Sequence, residues 1–375
     1  RIRKIFRRHW IKNCKFINNY GGRGGGVYNL RSNPTFINCT FKNNYADDGA
    51  GMGIGDWEPA QAMGTELIDC IFEDNNAKDS GGGLYLYNEE VALTNCVFIG
   101  NSASKGGGLY NISGVLNLTN CQFIGNYAQE EGGGVAGSNS TLTDCIFIGN
   151  SSNGYGGGLA GNNSIYNCII SGNTAINNGG AIYGWGEVIN CTVIGNRAVG
   201  NGGGLYTQGI VTLTNNIIRD NNALLGNEIY AGLCYKHVRP GPPIITSTSV
   251  VTMRYNNIRG GEEKIPIEAD CTLAWESGNI DEDPLFIDPG YWDSNNTPDD
   301  PNDDIWIDGD YHLKSQAGRW DPVPGAVQGD PVSESWVVDD VTSPCIDAGD
   351  PNSPIGPEPF PNGGIINMGA YGGTA

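Results

Sequence analysis

The sequence predicts an all-β fold in which short parallel strands wind into a β-helix, and three observations lead to this prediction. One motif recurs at intervals of 23 to 31 residues along most of the chain, and such internal repetition is the signature of a solenoid. The repeats contain short runs such as LTNCVFIG, rich in β-branched and aromatic residues, which is typical of strands. Glycine and asparagine separate these runs where turns require positive φ, and no run keeps the 3.6-residue period of a helix.

A cysteine marks the same position in eight successive repeats, and its spacing gives the length of each coil. The intervals between these cysteines are 25, 31, 26, 25, 24, 23 and 23 residues. Asn216 takes the next place, and Asn257 is expected to mark a tenth copy after a longer excursion. Coils of this length suit three short strands and three turns, so about nine or ten coils stacked about 4.8 Å apart are expected. The cysteines are Cys14, Cys39, Cys70, Cys96, Cys121, Cys145, Cys168 and Cys191.

Two residues after each cysteine stands a large apolar residue on the same face of the strand, and we expect both columns to point inward. Cysteine behaves as a small buried hydrophobe, so a ladder of reduced thiols explains the pattern without disulfides or zinc. The apolar column is Phe16, Phe41, Phe72, Phe98, Phe123, Phe147, Ile170, Val193 and Ile218. Cys234, Cys271 and Cys345 lie outside the ladder, and the sequence leaves their oxidation state open.

An asparagine stands five residues after each cysteine position, at a predicted turn. We expect these side chains to satisfy the turn backbone and to hydrogen-bond to their counterparts in neighbouring coils. They are Asn19, Asn44, Asn75, Asn101, Asn126, Asn150, Asn173, Asn196 and Asn221. The glycine triplet that follows is expected to be a structural turn, because a phosphate-binding loop requires a strand and a helix around it.

Charge divides the chain into a nearly neutral repeat region and an acidic C-terminal part. The net charge is −20; residues 1–261 hold 17 acidic against 18 basic residues, whereas residues 262–375 hold 24 against three. We therefore expect a basic N-terminal segment of unpredicted structure at 1–12, β-helix repeats at 13–261 and an acidic capping segment at 262–375. The acidity argues against nucleic acid as a partner, and no apolar run is long enough to span a membrane.

The acidic segment is expected to close one end of the rod. The end of a β-helix exposes apolar core and unpaired strand edges, so a solenoid needs a polar cap. Residues 262–375 suit this role because the repeat has stopped and prolines are frequent. The tryptophans expected to cover the last coils are Trp275, Trp292, Trp306, Trp320 and Trp336.

The pairing of a Gly-Gly-[Gly/Ala]-hydrophobic motif with Phe-x-x-Asn resembles the repeats of chlamydial polymorphic outer membrane proteins. The end of the chain, from GNIDEDPLFID at 278–288 to VTSPCIDAGDPNSPIGPEPFPNGGIINMGAYGGT at 341–374, resembles right-handed parallel β-helix proteins abundant in planctomycetes and related bacteria. The resemblance covers nearly all of the chain after residue 12 and implies a right-handed, pectin-lyase-like rod. It also implies a bacterial protein that is secreted or attached to the cell surface, and we expect a monomer that is part of a longer anchored protein.

The acidic segment also holds a candidate metal site. The run DDPNDDIWIDGD at 299–310 packs six aspartates into twelve residues, and calcium prefers closely spaced oxygen ligands. A solvated acidic loop is the alternative, since the run departs from the EF-hand pattern. The candidate calcium ligands are Asp299, Asp300, Asp303, Asp304, Asp308 and Asp310, and no other cofactor is predicted.

Tyrosine recurs after the glycine turns, which suggests a binding surface. If Leu109 points inward, Tyr110 points outward, and a row of exposed rings would stack on sugars. Stacking of the rings on one another is the alternative. The candidate glycan-binding residues are Tyr85, Tyr110, Tyr183 and Tyr206. One loop edge just before the glycines carries acids that either bind calcium or are solvated: Asp47, Asp48, Asp79, Glu130 and Glu131.

These patterns favour a protein that binds or displays, adhesin-like or glycan-binding, with a polysaccharide or a cell-surface glycan as its partner. A polysaccharide lyase or glycoside hydrolase on the same rod is the first alternative, and a purely structural spacer is the second, because this fold hosts many activities. The three histidines lie outside the repeats, and no catalytic residue is predicted. An exposed cluster of acids with an arginine or lysine across adjacent coils would favour the enzyme.

Overall fold

The computed structural model describes residues 9–30, 32–55, 64–236, 244–297, 303–322, 334–356 and 363–371. Over these ranges the chain winds into a parallel β-solenoid of about ten coils, as the repeat predicts. Helical structure in the described residues is limited to a 3₁₀ turn at Glu262–Lys264. Within the same ranges, no helix has the length and apolarity needed to cross a bilayer.

Three parallel sheets form the sides of the solenoid. Sheet 1 holds the strands Trp10–Lys12, Val27–Asn29, Thr35–Ile37, Met52–Gly55, Thr65–Ile68, Leu84–Tyr87, Glu90–Thr94, Leu109–Asn111, Val115–Thr119, Val135–Gly137, Ser140–Thr143, Leu159–Tyr166, Ile182–Ile189, Leu205–Thr214, Ile229–Ala231, Val250–Arg254 and Thr272–Trp275. Sheet 2 holds Lys15–Ile17, Thr40–Lys42, Ile71–Glu73, Val97–Ile99, Gln122–Ile124, Ile146–Ile148, Ile169–Ser171, Thr192–Ile194, Ile217–Arg219 and Asn257–Ile258. Sheet 3 holds Tyr20–Arg23, Tyr45–Asp48, Asn76–Ser80, Ser102–Lys105, Tyr127–Glu131, Ser151–Ser152, Thr174–Ala175 and Arg197–Ala198.

Four antiparallel strand pairs lie outside these sheets. They are Cys234–Lys236 with Ile244–Ser247, Phe286–Asp288 with Asp310–Leu313, Tyr291–Asp293 with Ile305–Ile307, and Arg319–Pro322 with Glu334–Val337. The parallel stacking itself continues past residue 261, since Thr272–Trp275 pairs with Val250–Arg254 in sheet 1. The first part of the acidic segment therefore adds a further partial coil to the rod.

The apolar column predicted after each cysteine forms the centre of the core. Phe98 pairs in register with Phe72 and Phe123, and all three side chains are buried. Their rings stack nearly parallel with centroids 4.6 and 4.7 Å apart. The strands of sheet 2 are only two or three residues long. In each three-residue strand, only the middle residue points into the core. The coil spacing thus fixes the ring spacing, and burying each ring stabilises the rod by about 2–3 kcal/mol.

The cysteine ladder is confirmed. The seven cysteines from Cys39 to Cys191 are buried and free, and the Cys145 amide donates a hydrogen bond to the Cys168 sulfur at 3.4 Å. Burial raises the pKa of the Cys168 thiol well above its usual value, which keeps it protonated and unreactive. Outside the ladder, Cys271 and Cys345 are also free, whereas the side chain of Cys234 lies outside the described residues.

The asparagine ladder is also confirmed, and it has a direction. Asn126 donates one Nδ2 hydrogen bond to the Phe98 carbonyl in the coil before and another to Asn150 Oδ1 in the coil after, both at 2.9 Å. Its own Oδ1 accepts from the side chain and the backbone of Asn101 at 2.9 and 3.0 Å. The same pattern repeats from Asn19 to Asn221. Along the ladder, each amide therefore donates to the next amide on its C-terminal side and accepts from the amide on its N-terminal side.

We expect Asn126→Ala to lower the free energy of unfolding by about 1–3 kcal/mol, because buried polar groups would lose their partners. The groups left unpaired would be the two donors of Asn101 and the Phe98 carbonyl. Chemical denaturation of wild type and variant measures the change, with Gln129→Ala, an exposed residue in the same coil, as the control. An unchanged midpoint for Asn126→Ala would contradict a stabilising ladder.

The prediction that Asn257 marks the tenth copy is wrong by one residue. Ile218 pairs with Ile258, and Asn216 Nδ2 donates to Asn256 Oδ1 at 2.9 Å. Asn256 therefore occupies the cysteine position, and it donates in turn to Asn279 Oδ1 at 3.0 Å. A second, shorter amide ladder thus replaces the thiols at the cysteine position. Because Asn256 and Asn257 are adjacent in the sequence, the sequence alone could not show which of them occupies that position.

The described part of the acidic segment packs against the side of the rod, and a cap over the open end is not confirmed. Phe286, Tyr311, Cys345 and Met368 form a second apolar core with outward residues of sheet 2. The sheet 2 residues that this core buries are Ile169, Ile194 and Ile217. Hence the outer face of sheet 2, rather than the end of the solenoid, receives this segment. We call residues 281–371, where they are described, the flanking segment.

Candidate functional site

The four tyrosines predicted to bind glycans lie in one outward column of sheet 1. The strand register pairs Tyr85 with Tyr110 and Tyr183 with Tyr206, and two alanines separate the two pairs. The ring centroids are 6.2 Å apart in the first pair and 5.3 Å apart in the second. The structure therefore brings the four residues together as two stacks along one side of the rod.

The tyrosine stacks expose little of their rings to solvent. Tyr85 and Tyr206 are only 7% and 5% exposed, whereas Tyr110 and Tyr183 are partly exposed. Burial raises the pKa of Tyr85 to about 12 and also raises that of Tyr110, so both hydroxyls stay protonated at neutral pH. The alternative of ring-on-ring stacking thus describes the geometry, and binding of a sugar to this column stays a prediction.

A charged edge runs beside the first tyrosine stack, where sheet 3 ends and the glycine turns begin. Lys105 Nζ lies 3.1 Å from Glu131 and 3.5 Å from Glu130, and Arg23 Nε lies 3.9 Å from Asp48. Burial raises the pKa of Asp48. Burial alone would lower the pKa of Lys105, but the charge and hydrogen bond of Glu131, together with the charges of Tyr110 and Glu130, outweigh it and raise the pKa. The lysine is therefore held protonated and cannot serve as a base at neutral pH.

The sequence pointed to the acids of this edge but missed its cations. The register aligns Arg23 with Asp48 and Lys105 with Glu131. Each of these residues stands nine or ten positions after the cysteine of its coil, and this constant offset is the signal that could have found them. Opposite charges on adjacent strands attract each other, so the edge is an ion-paired surface rather than a row of bare carboxylates.

The acidic run of residues 299–310 is spread over several environments. Asp299 and Asp300 lie outside the described residues. Asp304 pairs with Arg197 at 2.5 Å, and both oxygens of Asp303 accept from Thr297 at 2.6–2.7 Å.

The remaining two aspartates of the run are held by neighbouring side chains. Asp308 accepts hydrogen bonds from Ser171 at 2.8 Å and Tyr311 at 2.5 Å. Burial alone would raise the pKa of Asp310, but hydrogen bonds from His312 lower it. In the described part of the chain, no three His, Cys, Asp or Glu residues converge as a metal site. Calcium binding by the run stays a prediction.

One contact of the flanking segment with the rod involves two turn glycines that the sequence did not distinguish. The indole of Trp306 lies directly over Gly172 and Gly195, so that a Cβ on either glycine would occupy the space of the ring. Trp292 Nε1 donates to the Gly195 carbonyl at 2.8 Å. The Arg197 guanidinium lies 3.8 Å from the centre of the Trp292 ring. Two indoles are thus seated on the rod, Trp306 by contact with the turn glycines and Trp292 by one hydrogen bond and a cation–π interaction.

Comparison with known families agrees with this architecture. The model of the right-handed β-helix region matches residues 3–123, and the model of the Chlamydia polymorphic membrane protein repeat matches residues 167–184. No curated protein matches the chain. The second match covers one glycine turn and the strands beside it. The chain is therefore a right-handed parallel β-helix repeat protein whose repeats resemble those of the Chlamydia polymorphic membrane proteins.

Proposed function

We propose that the protein is secreted or displayed at a bacterial cell surface, where it binds an extended glycan along the tyrosine column and the charged edge beside it. The observation that carries the proposal is the alignment of Tyr85 and Tyr110 with Lys105 and Glu131 along adjacent coils. Coils repeat about every 4.8 Å, so equivalent residues on two adjacent coils are spaced to contact two adjacent sugar rings of one glycan chain. Tyr110 is partly exposed and offers an apolar ring with a hydroxyl, and the charged groups beside it offer hydrogen bonds to a sugar.

The similarity to surface-protein repeats supports the location, and the ion-paired edge, in which acids outnumber cations, supports a neutral or weakly charged glycan. A strongly anionic glycan would meet Glu130 and Glu131 as well as Lys105, and repulsion would offset the attraction. The alignment therefore favours hexose or amino-sugar polymers over uronic-acid polymers.

A glycan-binding panel tests the proposal. Wild type should retain at least one neutral polysaccharide, and Tyr110→Ala should weaken that binding by about tenfold, the loss expected for one ordinary contact. Tyr20→Ala removes a tyrosine that is 80% exposed and lies on sheet 3, away from the column, so it should bind as wild type does. Absence of binding to every glycan by wild type, or equal loss in both variants, would overturn the proposal.

Cleavage of the bound glycan is a second candidate, and one observation favours it. Lys105 contacts two carboxylates, Glu130 and Glu131, across adjacent coils, and paired carboxylates are the groups that glycoside hydrolases use. Incubation of each retained glycan with wild type and Glu131→Gln, followed by analysis of reducing ends, separates the candidates. Products that wild type forms and Glu131→Gln does not form would support a hydrolase. If wild type forms no product, binding without cleavage remains as the function.

A further inference from the structure

Each coil contributes two stretches to sheet 1, one after its glycine turn and one before the next cysteine position, and the junction between them is built in two ways. In earlier coils the junction separates two short strands, such as Leu109–Asn111 and Val115–Thr119. In three later coils a single strand runs through the junction: Leu159–Tyr166, Ile182–Ile189 and Leu205–Thr214. The junction loses its loop there, so other groups must fill the interior beneath it.

Asn111 shows how an earlier coil fills the junction. Its Nδ2 donates hydrogen bonds to the Gly114 and Ser138 carbonyls at 2.9 and 2.8 Å, and its Oδ1 accepts from the Gly114 amide at 2.9 Å. The strand register places a glycine at the position of Asn111 in each of the next three coils, namely Gly137, Gly161 and Gly184. These coils therefore lack the side chain that satisfies the junction in the coil of Asn111.

A small cavity lies inside the rod at the junction of the later coils. It is lined by Gly161, Gly184, Gly186 and Thr207, and by core side chains such as Val188. Its space corresponds to about one water molecule, which is too little for a sugar ring or an organic cofactor. Among the described residues that line it, none is charged, so a metal ion would find no carboxylate ligand there.

Asn163 brings an amide group to this cavity. Its side chain lines the cavity and is only 4% exposed, and neither Oδ1 nor Nδ2 has a hydrogen-bond partner among the described residues. Ser140 stands in register with Asn163 on the coil before, and its buried hydroxyl also has no partner in the same part of the chain. Buried amides and hydroxyls are nearly always hydrogen-bonded, because burial without a partner costs desolvation free energy. The two side chains therefore point to a ligand that hydrogen-bonds to both.

We propose that the junction is a binding site for an internal water molecule, which Asn163 and Ser140 hold where the Asn111 side chain lies in an earlier coil. Water is the ligand because it both donates and accepts, so one molecule can serve the amide and the hydroxyl within the space of this cavity. The site replaces the side-chain hydrogen bonds of Asn111 by hydrogen bonds through water, which satisfy buried polar groups nearly as well.

Trp185 reaches from the cavity to the surface of the rod. Its side chain lines the cavity and is 39% exposed, and it lies 3.6 Å from a Cβ built on Gly209 in the next coil. The proposed water therefore exchanges with solvent past this indole, and the indole controls how long the water stays.

Magnetic relaxation dispersion of the water oxygen, recorded on the full chain, measures the number and the residence time of waters held inside a protein. Asn163→Leu fills the site with an apolar side chain and should lose about one long-lived water relative to wild type. Asn117→Leu makes the same change at an exposed position of sheet 1 and should keep the wild-type dispersion. Trp185→Ala should shift the dispersion to higher frequency, because the water exchanges faster. This variant changes a partly exposed residue, so it tests the site even if Asn163→Leu does not fold.

A crystal structure of the wild type, at a resolution that shows ordered water, gives the position of the ligand directly. We expect a water about 2.7–3.2 Å from Oδ1 or Nδ2 of Asn163. A protein group in that place would overturn the proposal. The same holds if Asn163→Leu retains every long-lived water of the wild type, or if Trp185→Ala leaves the dispersion where it is.

Discussion

Gly195→Asn is expected to release the flanking segment from sheet 2 while the coils stay intact. Asparagine tolerates the positive φ of 65° at this turn, as Asn18 and Asn43 do at the equivalent positions. Its side chain would, however, occupy the space of the Trp306 indole. Overpacking of a buried contact costs about 1–3 kcal/mol, and the loss falls on the part of the flanking segment that Trp306 holds against sheet 2.

Limited proteolysis measures this release. Cleavage between residues 281 and 322 should become at least about tenfold faster, since a loss of 1.4 kcal/mol in local opening free energy is a factor of ten. Gly125→Asn is the matched control. It makes the same change at the equivalent turn of an earlier coil, where no described atom lies within 4 Å of a Cβ built on the glycine. Equal cleavage rates in the two variants would show that Trp306 does not hold the segment in place.

Glu228→Gln is expected to stabilise the protein at neutral and alkaline pH and to leave its stability unchanged near pH 4. Glu228 is buried and ends the asparagine ladder, accepting from Asn221 Nδ2 at 2.6 Å. Burial raises its pKa from 4.5 to about 8, against the opposing effect of the hydrogen bonds from Asn221. The folded protein thus keeps a proton that the unfolded chain releases above pH 4.5.

The sign of the pH dependence follows from this difference. At a pH between these two pKa values, the unfolded chain has released the Glu228 proton and the folded protein still holds it, so folding requires the uptake of a proton. Stability therefore falls as the pH rises from about 4.5 to about 8. Below this window the group is neutral in both states and costs nothing. Glutamine is neutral at every pH and still offers an oxygen to Asn221, so the variant should gain on the order of 3 kcal/mol over wild type near pH 8.

Unfolding by denaturant at several pH values tests this prediction. The wild-type stability curve should slope downward across the window, and the slope should be smaller in Glu228→Gln. Glu263→Gln, an exposed residue of the 3₁₀ turn, should keep the wild-type slope. If the Glu228→Gln curve parallels the wild-type curve, the ladder stabilises an ionised carboxylate and burial does not dominate.

The position of Glu228 itself could not be predicted from the repeat. The ladder residues recur five positions after each cysteine, and the pattern simply stops after Asn221. Only the structure shows that Glu228, which stands later in the same coil at the position of the third turn glycine, extends its carboxyl group to the place where the next amide would stand. Desolvation, a property of packing, then raises the pKa of its carboxyl group.

The sequence by itself determined the coil and its columns. In a solenoid each residue meets its equivalents one repeat away, so a constant offset in the sequence becomes a contact in space. Phe98 against Phe123, and Asn126 against Asn150, follow from counting residues alone. The same periodicity predicted the free thiols, because in-register cysteines at a buried position pack as small apolar side chains.

Only the tertiary structure decided where the non-periodic residues lie. The sequence treats Gly125 and Gly195 alike, since both satisfy a turn with positive φ. Trp306, more than a hundred residues further along the chain, covers Gly195 and leaves Gly125 open. The reason is physical: outside the repeat, a segment docks wherever apolar surface and charge match its side chains, and that match depends on the whole three-dimensional surface of sheet 2 rather than on any spacing in the chain.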